Sequence, residues 1–334
     1  MTRALLIKMS SLGDVVHALP AVTDAAEHGV VFDWVVEENF APVAALHPGV
    51  HAVLPIAWRR WRQSLLADRT EIRRFFDRLR EERYDVILDS QGLIKSAVVS
   101  RFARGSQRAG FARPSAREGA SALRLDTPVE VPLDLHAIDR QRKLFAAVFG
   151  YDVPAGLAYG IGRMNTAISR SVLLLHGTTW SSKHYPESMW QELIALAVKD
   201  HCDVQVVFGS ATEERRARQF AAAGARVLPS MRLAELLEHI GSVGVVIGVD
   251  TGLSHVAAAL DRPVIGLYGP TDPVLTGVRG RRVQNLVTNL ECAPCRRPSC
   301  IRTDLDQWAV EPPCFSRLPP DLVWRTARQA LDGM

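Results

Sequence analysis

VGVVIGVDTGLSHVAAALDRPVIGLYGPTDP, residues 243–273, carries the strongest structural signal in this chain. Residues 243–249 are apolar and largely β-branched, which is typical of a buried parallel strand. Asp250-Thr251-Gly252 interrupts that run, and a helix is predicted over 253–260 before a second apolar strand over 264–268. This order of strand, turn, helix and strand predicts a doubly wound α/β sheet, in which ligands bind at the carboxyl ends of the strands.

The turn after the first of these strands is a candidate phosphate site. Gly252 opens the helix, so free backbone N–H groups and the positive end of the helix dipole are available to a ligand. Asp250 and Thr251 lie on the turn itself, and His255 follows one turn into the helix. The alternative interpretation is that Asp250 or Thr251 only caps the helix.

Two further predicted strand ends in the same half of the chain carry polar or small residues. Because parallel strands of one sheet end at one edge, we expect these residues to converge with the turn at 250–252. Together they offer hydroxyls and amides for phosphate oxygens, a lysine for phosphate charge and a carboxylate for ribose hydroxyls. The predicted nucleotide diphosphate site contains Thr178, Thr179, Lys183, Gly209, Ser210, Glu213, Asp250, Thr251, Gly252 and His255.

The first half of the chain has a similar arrangement. A strand is predicted over residues 3–9, a tight turn over residues 10–14 (SSLGD) and a helix over 15–27. The turn lacks the lysine of a Walker loop and does not have the G-x-G-x-x-G spacing. Asp14 either caps the helix or, if the two halves face each other, lies across a cleft from the phosphate site as a general base.

Size and composition fit two α/β domains. The chain has 334 residues, and the glycine-rich segment 150–170 is the best linker candidate. No apolar run approaches the roughly 20 residues of a membrane span, and the apolar part of the start is too short for a signal peptide. Five cysteines do not make a disulfide scaffold, which favours a reducing compartment. These features predict a cytoplasmic protein.

Charge is unevenly distributed along the chain. Residues 57–124 contain 16 Lys and Arg against 8 Asp and Glu, a net charge of +8, whereas the whole chain carries +4. This asymmetry predicts an acidic partner for the first half. Alternating charges over 68–83 also fit a solvated helix face, which explains part of the excess.

The cysteines raise the question of a bound metal. Cys292, Cys295, Cys300 and Cys314 could form a four-thiolate zinc or iron–sulfur site, although Cys314 lies far from the others and follows two prolines. The sequence 304–306 (DLD) matches the metal-binding D-x-D of some sugar transferases, but it does not follow an apolar strand. We therefore predict no metal in the site.

Three motifs, taken together, resemble a known family. They are KMSSLGDVVHALPA at 8–21, HGTTWSSKHYPE at 176–187, and GVDTGLSHVAAAL with GLYGPTDP at 248–260 and 266–273. Their order and spacing are similar to those of the heptosyltransferases of lipopolysaccharide core synthesis, glycosyltransferase family nine. The resemblance implies the GT-B architecture of two facing Rossmann-like domains with doubly wound parallel sheets. It implies an acceptor domain over 1–160, a donor domain over 161–317, and a C-terminal helix over 318–334 that packs back on the first domain.

The resemblance also implies a reaction. This is an inverting, metal-independent transfer of L-glycero-D-manno-heptose from ADP-heptose to Kdo of Kdo2-lipid A, by an enzyme peripheral to the cytoplasmic face of the inner membrane. Asp14 matches the general base, and Lys183 matches the lysine that stabilises the departing diphosphate. The implied donor-site residues are Ser11, Gly13, Thr178, Thr179, Lys183, Glu213, Met231, Asp250, Thr251, Gly252 and His255. Arg59, Arg60 and Arg62 are candidate contacts for Kdo carboxylates and lipid A phosphates.

Three alternative functions remain open from the sequence. The cysteine-rich tail favours a related heptosyltransferase that acts on a later acceptor. An NAD-dependent oxidoreductase or epimerase would need the glycine fingerprint that the chain lacks. A nucleic-acid-binding module could use the arginine-rich half with Trp58 and Trp61, but it would leave the second domain's site unexplained.

Overall fold

The computed structural model describes residues 1–64, 68–162 and 169–333. The chain divides into two compact units, Met1–Gly162 and Arg163–Met334. Within the described residues, each unit contains one six-stranded sheet in which every strand pair is parallel. The α/β doubly wound class predicted from the sequence is confirmed.

The first sheet has the strand order β3-β2-β1-β4-β5-β6. Its strands are β1 Thr2–Ile7, β2 Val30–Glu37, β3 Val50–Ile56, β4 Arg83–Asp89, β5 Arg104–Phe111 and β6 Thr127–Val129. The helices of this unit are α1 Leu12–Glu27, α2 Ala41–Ala45, α3 Trp58–Trp61, α4 Arg69–Leu79, α5 Ile94–Phe102 and α6 Ala137–Phe149. The order reverses between β1 and β4, so the ends of these two strands flank the crevice where doubly wound sheets bind ligands.

The second sheet has the order β12-β11-β10-β7-β8-β9, which is the same order when each sheet is counted from its own first strand. Its strands are β7 Ser171–Leu175, β8 Asp203–Val206, β9 Arg226–Val227, β10 Val245–Val249, β11 Val264–Tyr268 and β12 Val283–Val287. Its helices are α7 Glu187–Lys199, α8 Ala211–Ala221, α9 Leu233–Ser242, α10 Gly252–Ala259, α11 Pro273–Thr276 and α12 Pro320–Asp332. Here the order reverses between β7 and β10.

Burial explains why the central strands are so apolar. All residues of β7, β10 and β11 are buried, because helices cover both faces of the sheet. Removal of these strands from water is the main stabilising contribution to the unit. Strands β5 and β12 were not predicted, because both are partly exposed and contain polar residues or glycine: RGSQRAGF and VQNLV.

The C-terminal helix requires a correction. The resemblance implied that it packs back on the first domain, but the structure assigns α12 to the second unit. Its apolar side chains, among them Val323, Ala327 and Leu331, are buried in the core that includes β10. Trp324 Nε1 also donates a hydrogen bond to Asp200 Oδ2 at 2.8 Å, at the end of α7. A strongly amphipathic helix packs where its apolar stripe is covered, and here the second sheet covers it.

No helix in the described part of the chain is long and apolar enough to cross a membrane.

Candidate active site

The centre of the second unit's site is the Asp250 carboxylate, at the carboxyl end of β10. Its Oδ2 lies 2.7 Å from Lys183 Nζ, and its Oδ1 lies 3.9 Å from His255 Nε2. The Thr178 hydroxyl donates to the backbone oxygen of Asp250 at 3.4 Å. Four predicted residues from the ends of β7 and β10 therefore converge at the point where the strand order reverses.

Asp250 is held in its charged form. Burial alone would raise the pKa of this carboxyl group, but the neighbouring His255 side chain and the charge and close contact of Lys183 outweigh that effect and lower the pKa to about 2. The carboxylate is therefore ionised at neutral pH. It anchors the Lys183 ammonium at the carboxyl edge of the second sheet.

Lys183 is positioned by a short 3-10 helix, Ser181–Lys183, that follows β7. Its Nζ lies 4.5 Å from the centre of the Trp180 ring, a cation–π distance. The Ser182 hydroxyl donates to the backbone oxygen of Arg297 at 2.6 Å and ties this segment to the cysteine-rich loop. Trp180 was not predicted as a site residue, although it lies inside the HGTTWSSKHYPE motif.

The start of α10 is open to a ligand. Thr251 is the N-cap residue with an extended backbone, and its side chain makes no capping hydrogen bond in the described structure. This differs from the capping alternative considered for Asp250 and Thr251. Gly252 begins the helix, so the N–H groups of the first turn and the helix dipole lie beside the Lys183–Asp250 pair.

Glu213 lies at the carboxyl end of the neighbouring strand, β8. Its Oε2 accepts a hydrogen bond from the Gly209 N–H at 2.7 Å, and the Ser210 hydroxyl accepts one from the Glu213 N–H at 3.2 Å. A Cβ on Gly177 would collide with the Glu213 carboxylate, so the absence of a side chain there lets Glu213 reach the end of β7. Thr179 is exposed on the same loop as Lys183, and Met231 is half-buried just before α9.

In the first unit, Asp14 occupies the first turn of α1. The helix begins at Leu12, earlier than predicted, with Ser11 as the N-cap residue and Gly13 beside Asp14. Asp14 Oδ2 accepts hydrogen bonds from the Ser11 N–H at 2.6 Å and the Ser11 hydroxyl at 3.1 Å. The capping alternative is therefore observed. About a third of the carboxylate side chain stays exposed, which leaves it accessible to a substrate.

Buried polar side chains that the sequence interpretation missed support this turn. Gln91 Oε1, after β4, accepts hydrogen bonds from the backbone N–H groups of Met9 and Ser10 at 2.9 and 3.0 Å. Lys8 Nζ donates to the Ser90 carbonyl at 3.1 Å and lies 4.0 Å from Asp14 Oδ1. Burial lowers the pKa of Lys8, and the negative charges of Asp14 and Asp89 oppose that shift.

Lys95, at the start of α5, is a further cation at the turn. Its Nζ donates to the Ser10 hydroxyl at 2.8 Å. Burial lowers the pKa of Lys95, and charges of both signs act on it, including those of Glu37, Arg59 and Asp14. The sequence offered one signal for this group, namely that Gln91 and Lys95 follow a predicted strand end.

The three predicted acceptor arginines differ in their contacts. Arg60 is bound to the carboxylates of Glu38 and Glu71 at 3.2 and 2.7 Å, and so its charge is already compensated. The Arg59 guanidinium lies 5.3 Å from the centre of the Phe40 ring. Arg62 ends α3 and is exposed.

The four cysteines of the tail surround a small cavity of about 20 Å³. Burial raises the pKa of the Cys314 thiol to about 12, and the three neighbouring thiols add to that shift. Within the residues that the structure describes, no group of three or more His, Cys, Asp or Glu side chains is arranged to hold a metal ion.

Two sequence comparisons with known proteins indicate the same family. The sequence profile of glycosyltransferase family 9 (heptosyltransferase) matches residues 72–305. Lipopolysaccharide heptosyltransferase 1 of Pseudomonas aeruginosa is 42% identical, and the match covers 96% of each chain.

Solved structures extend the similarity to the fold. A structure of Escherichia coli heptosyltransferase WaaC with ADP matches at a TM-score of 0.86 and 35% identity, covering 98% of this chain and 99% of that one. A second structure of the E. coli enzyme, with ADP-2-deoxy-2-fluoro heptose, matches at 0.82 and 34% identity over the same shares.

Proposed function

Because the chain belongs to glycosyltransferase family 9, the heptosyltransferases, we propose that it transfers L-glycero-D-manno-heptose from ADP-heptose to Kdo of Kdo2-lipid A. This is a step of lipopolysaccharide inner-core synthesis. The observation that carries the proposal is the Lys183–Asp250–His255 cluster beside the open start of α10. The P. aeruginosa relative, named for this enzyme class, matches along nearly the whole chain.

The donor is assigned to residues 161–317, and the ADP diphosphate to the carboxyl ends of β7 and β10. The Lys183 ammonium and the first N–H groups of α10 supply positive charge to the phosphate oxygens. Glu213 offers a carboxylate to the ribose hydroxyls, and Met231 an apolar contact to adenine. Thr178, Thr179, Asp250, Thr251, Gly252 and His255 surround the phosphates and the heptose.

The acceptor is assigned to residues 1–160. Asp14 takes the proton from the acceptor hydroxyl as that oxygen attacks the anomeric carbon of heptose. The bond from this carbon to the diphosphate oxygen breaks on the opposite face, so the configuration inverts and ADP leaves. Lys183 stabilises the charge on the departing diphosphate, which is the role that a divalent metal fills in other enzymes. Ser11 and Gly13 shape the turn that presents Asp14.

Positively charged side chains of the first unit are suited to bind an anionic acceptor sugar. Lys95, Arg59 and Arg62 are the candidates for Kdo carboxylates and lipid A phosphates, and Arg60 is the weakest of the predicted set because Glu38 and Glu71 already bind it. A lipid-borne acceptor implies that the enzyme works at the cytoplasmic face of the inner membrane, as a peripheral protein.

A transfer assay with water-soluble, deacylated acceptors tests this function. ADP-heptose is supplied with acceptors that carry Kdo alone, Kdo with one heptose, or Kdo with two, and products are identified by mass spectrometry. We expect one heptose to be added to the Kdo acceptor and none to the others. Elongation only of an acceptor that already carries heptose would identify a later step, and the absence of any transfer would contradict the proposal.

Asp14→Asn tests the assignment of the base. Asparagine keeps an oxygen for the Ser11 N–H, so the cap of α1 is retained while the basic group is lost. We expect turnover to fall by about 10²- to 10⁴-fold, the range for a general base, with ADP affinity within about twofold of the wild type. Asp139→Asn, the same change in the first turn of α6, is the matched control and should retain turnover.

A further inference from the structure

A groove of about 490 Å³ lies on the first unit between α5 and the 3-10 helix Gly119–Ala122. Four large apolar side chains on it are strongly exposed: Ile94 at 53%, Val98 at 40%, Phe102 at 40% and Leu123 at 76%. The first three are four residues apart on α5 and therefore form one stripe along the helix. Single exposed apolar residues are ordinary, but a contiguous patch of this kind marks an interaction surface.

The rim of this groove is basic. Arg101, Arg108 and Arg124 line it, and its described lining residues include no Asp or Glu. In the part of the chain that the structure describes, no ion pair is found for Arg101 or Arg124. Two carboxylates that contact lining residues of the groove bind backbone groups: Glu118 accepts from the Ile94 N–H and Asp126 from the Arg108 N–H.

We propose that this surface, the α5 groove, docks the enzyme on an anionic lipid bilayer. Interfacial binding combines a buried apolar face with arginines placed among anionic headgroups, and the α5 groove has both. Charge complementarity favours a bilayer over a second copy of the chain, because two such basic rims would repel each other.

The position of α5 connects this surface with the reaction. Lys95, in the first turn of the same helix, reaches the Ser10 hydroxyl of the turn that carries Asp14. A bilayer that contacts the Val98 and Phe102 side of α5 therefore lies within the length of α5 from the turn that carries Asp14. The inference deepens the proposed function. It depends on that function only in assuming that the acceptor is a lipid.

Vesicle co-sedimentation of the full chain tests the α5 groove. The probes are phosphatidylcholine vesicles with and without about 30% phosphatidylglycerol, at low and at physiological salt. We compare the wild type with two double variants. Val98→Asp/Leu123→Asp, the floor variant, places charge among the exposed apolar side chains of the groove. Arg101→Gln/Arg124→Gln, the rim variant, removes two positive charges from its rim.

The matched control for the floor is Val198→Asp/Leu133→Asp. These side chains are also exposed, at 39% and 61%, but lie outside the groove. We expect the wild type to prefer anionic vesicles, the floor variant to lose at least tenfold in partitioning, and the control to stay within twofold. The rim variant should lose about fivefold for each arginine on anionic vesicles, and little on neutral ones.

Several outcomes would overturn the proposal. These are no wild-type binding to anionic vesicles, equal binding to neutral ones, equal losses in the floor variant and the control, or a wild-type dimer that only the floor variant dissociates. ADP titration and transfer to the deacylated acceptor are measured on every variant. If the wild type binds anionic vesicles but shows neither ADP binding nor transfer, the proposed function is contradicted and the docking surface still stands.

Discussion

Lys183 carries the electrostatic part of the proposed chemistry. It is anchored by Asp250 at 2.7 Å and lies over the Trp180 ring, so its ammonium is fixed before a diphosphate arrives. A positively charged group that is already in place stabilises a leaving group without the cost of reorganisation.

Lys183→Gln is therefore expected to lower kcat by about 10²- to 10³-fold, the range for loss of one preorganised electrostatic partner. In contrast, EDTA should leave the wild-type rate unchanged, because no step is assigned to a metal. Initial rates of ADP release check both statements. Arg218→Gln, which removes a charge from the exposed face of α8, is the control. An EDTA-sensitive wild type that recovers with added Mg²⁺ would refute the assignment to Lys183.

Asp250 gives a prediction about pH. Its folded-state pKa of about 2 lies below the ordinary value of 3.8, so the charged form stabilises the fold above pH 3.8 and that contribution is lost as pH falls towards 2. The shift corresponds to about 2 kcal/mol at neutral pH. Asp250→Asn should therefore be less stable than the wild type at pH 7, and roughly half of the difference should disappear by pH 3. Urea unfolding at both pH values measures it, and a difference independent of pH would contradict the ion-pair explanation.

At the scale of elements, α12 belongs with the second sheet. Trp324→Ala removes a buried side chain and its hydrogen bond to Asp200, which should cost about 3–5 kcal/mol. Hydrogen exchange should then rise in β10 and β11, which α12 covers, and stay unchanged in β1 and β4. Arg325→Ala, on the exposed side of the same helix, should change little. Faster exchange in the first unit alone would revive the arrangement in which α12 packs there.

The elements differ in how well their sequence predicts them. Strands such as β10 and β11 are apolar throughout because they are buried on both faces, and the pattern alone finds them. Strand β5 contains two arginines and two glycines. It forms a strand by pairing with β4, whose paired residues lie about 20 positions earlier in the sequence. That pairing is a tertiary contact that no local pattern reveals.

The same reasoning separates the site residues. Asp250, Lys183 and His255 follow strand ends inside recognisable motifs, so they were predicted and the structure brings them together. Gln91 and Lys95 act on Ser10 from more than 80 residues away. Their only local signal is that they follow a predicted strand end, and that signal does not identify the turn they contact. The parallel pairing of β1 with β4 brings them to Ser10.

At the scale of the whole molecule, the proposal assigns a different role to each of the two sheets of identical strand order: the acceptor and its base to the first, and the donor to the second. The Asp14 turn lies in the unit Met1–Gly162, and the Lys183–Asp250 pair lies in the unit Arg163–Met334. A chain with two compact units need not unfold in one step, so a single melting temperature would mix their responses. Hydrogen exchange, which reports on segments, separates them.

ADP alone is expected to protect only the second unit. At about 100 times its Kd, a ligand that binds only the folded form stabilises it by about 2.7 kcal/mol. Exchange should therefore slow at the ends of β7 and β10 and in the first turn of α10, and Lys183→Gln should weaken this protection at the same ADP concentration. Arg218→Gln should show the wild-type pattern. Protection confined to the Asp14 turn would mean that the nucleotide binds to the first sheet, and the division of roles between the two units would then be reversed.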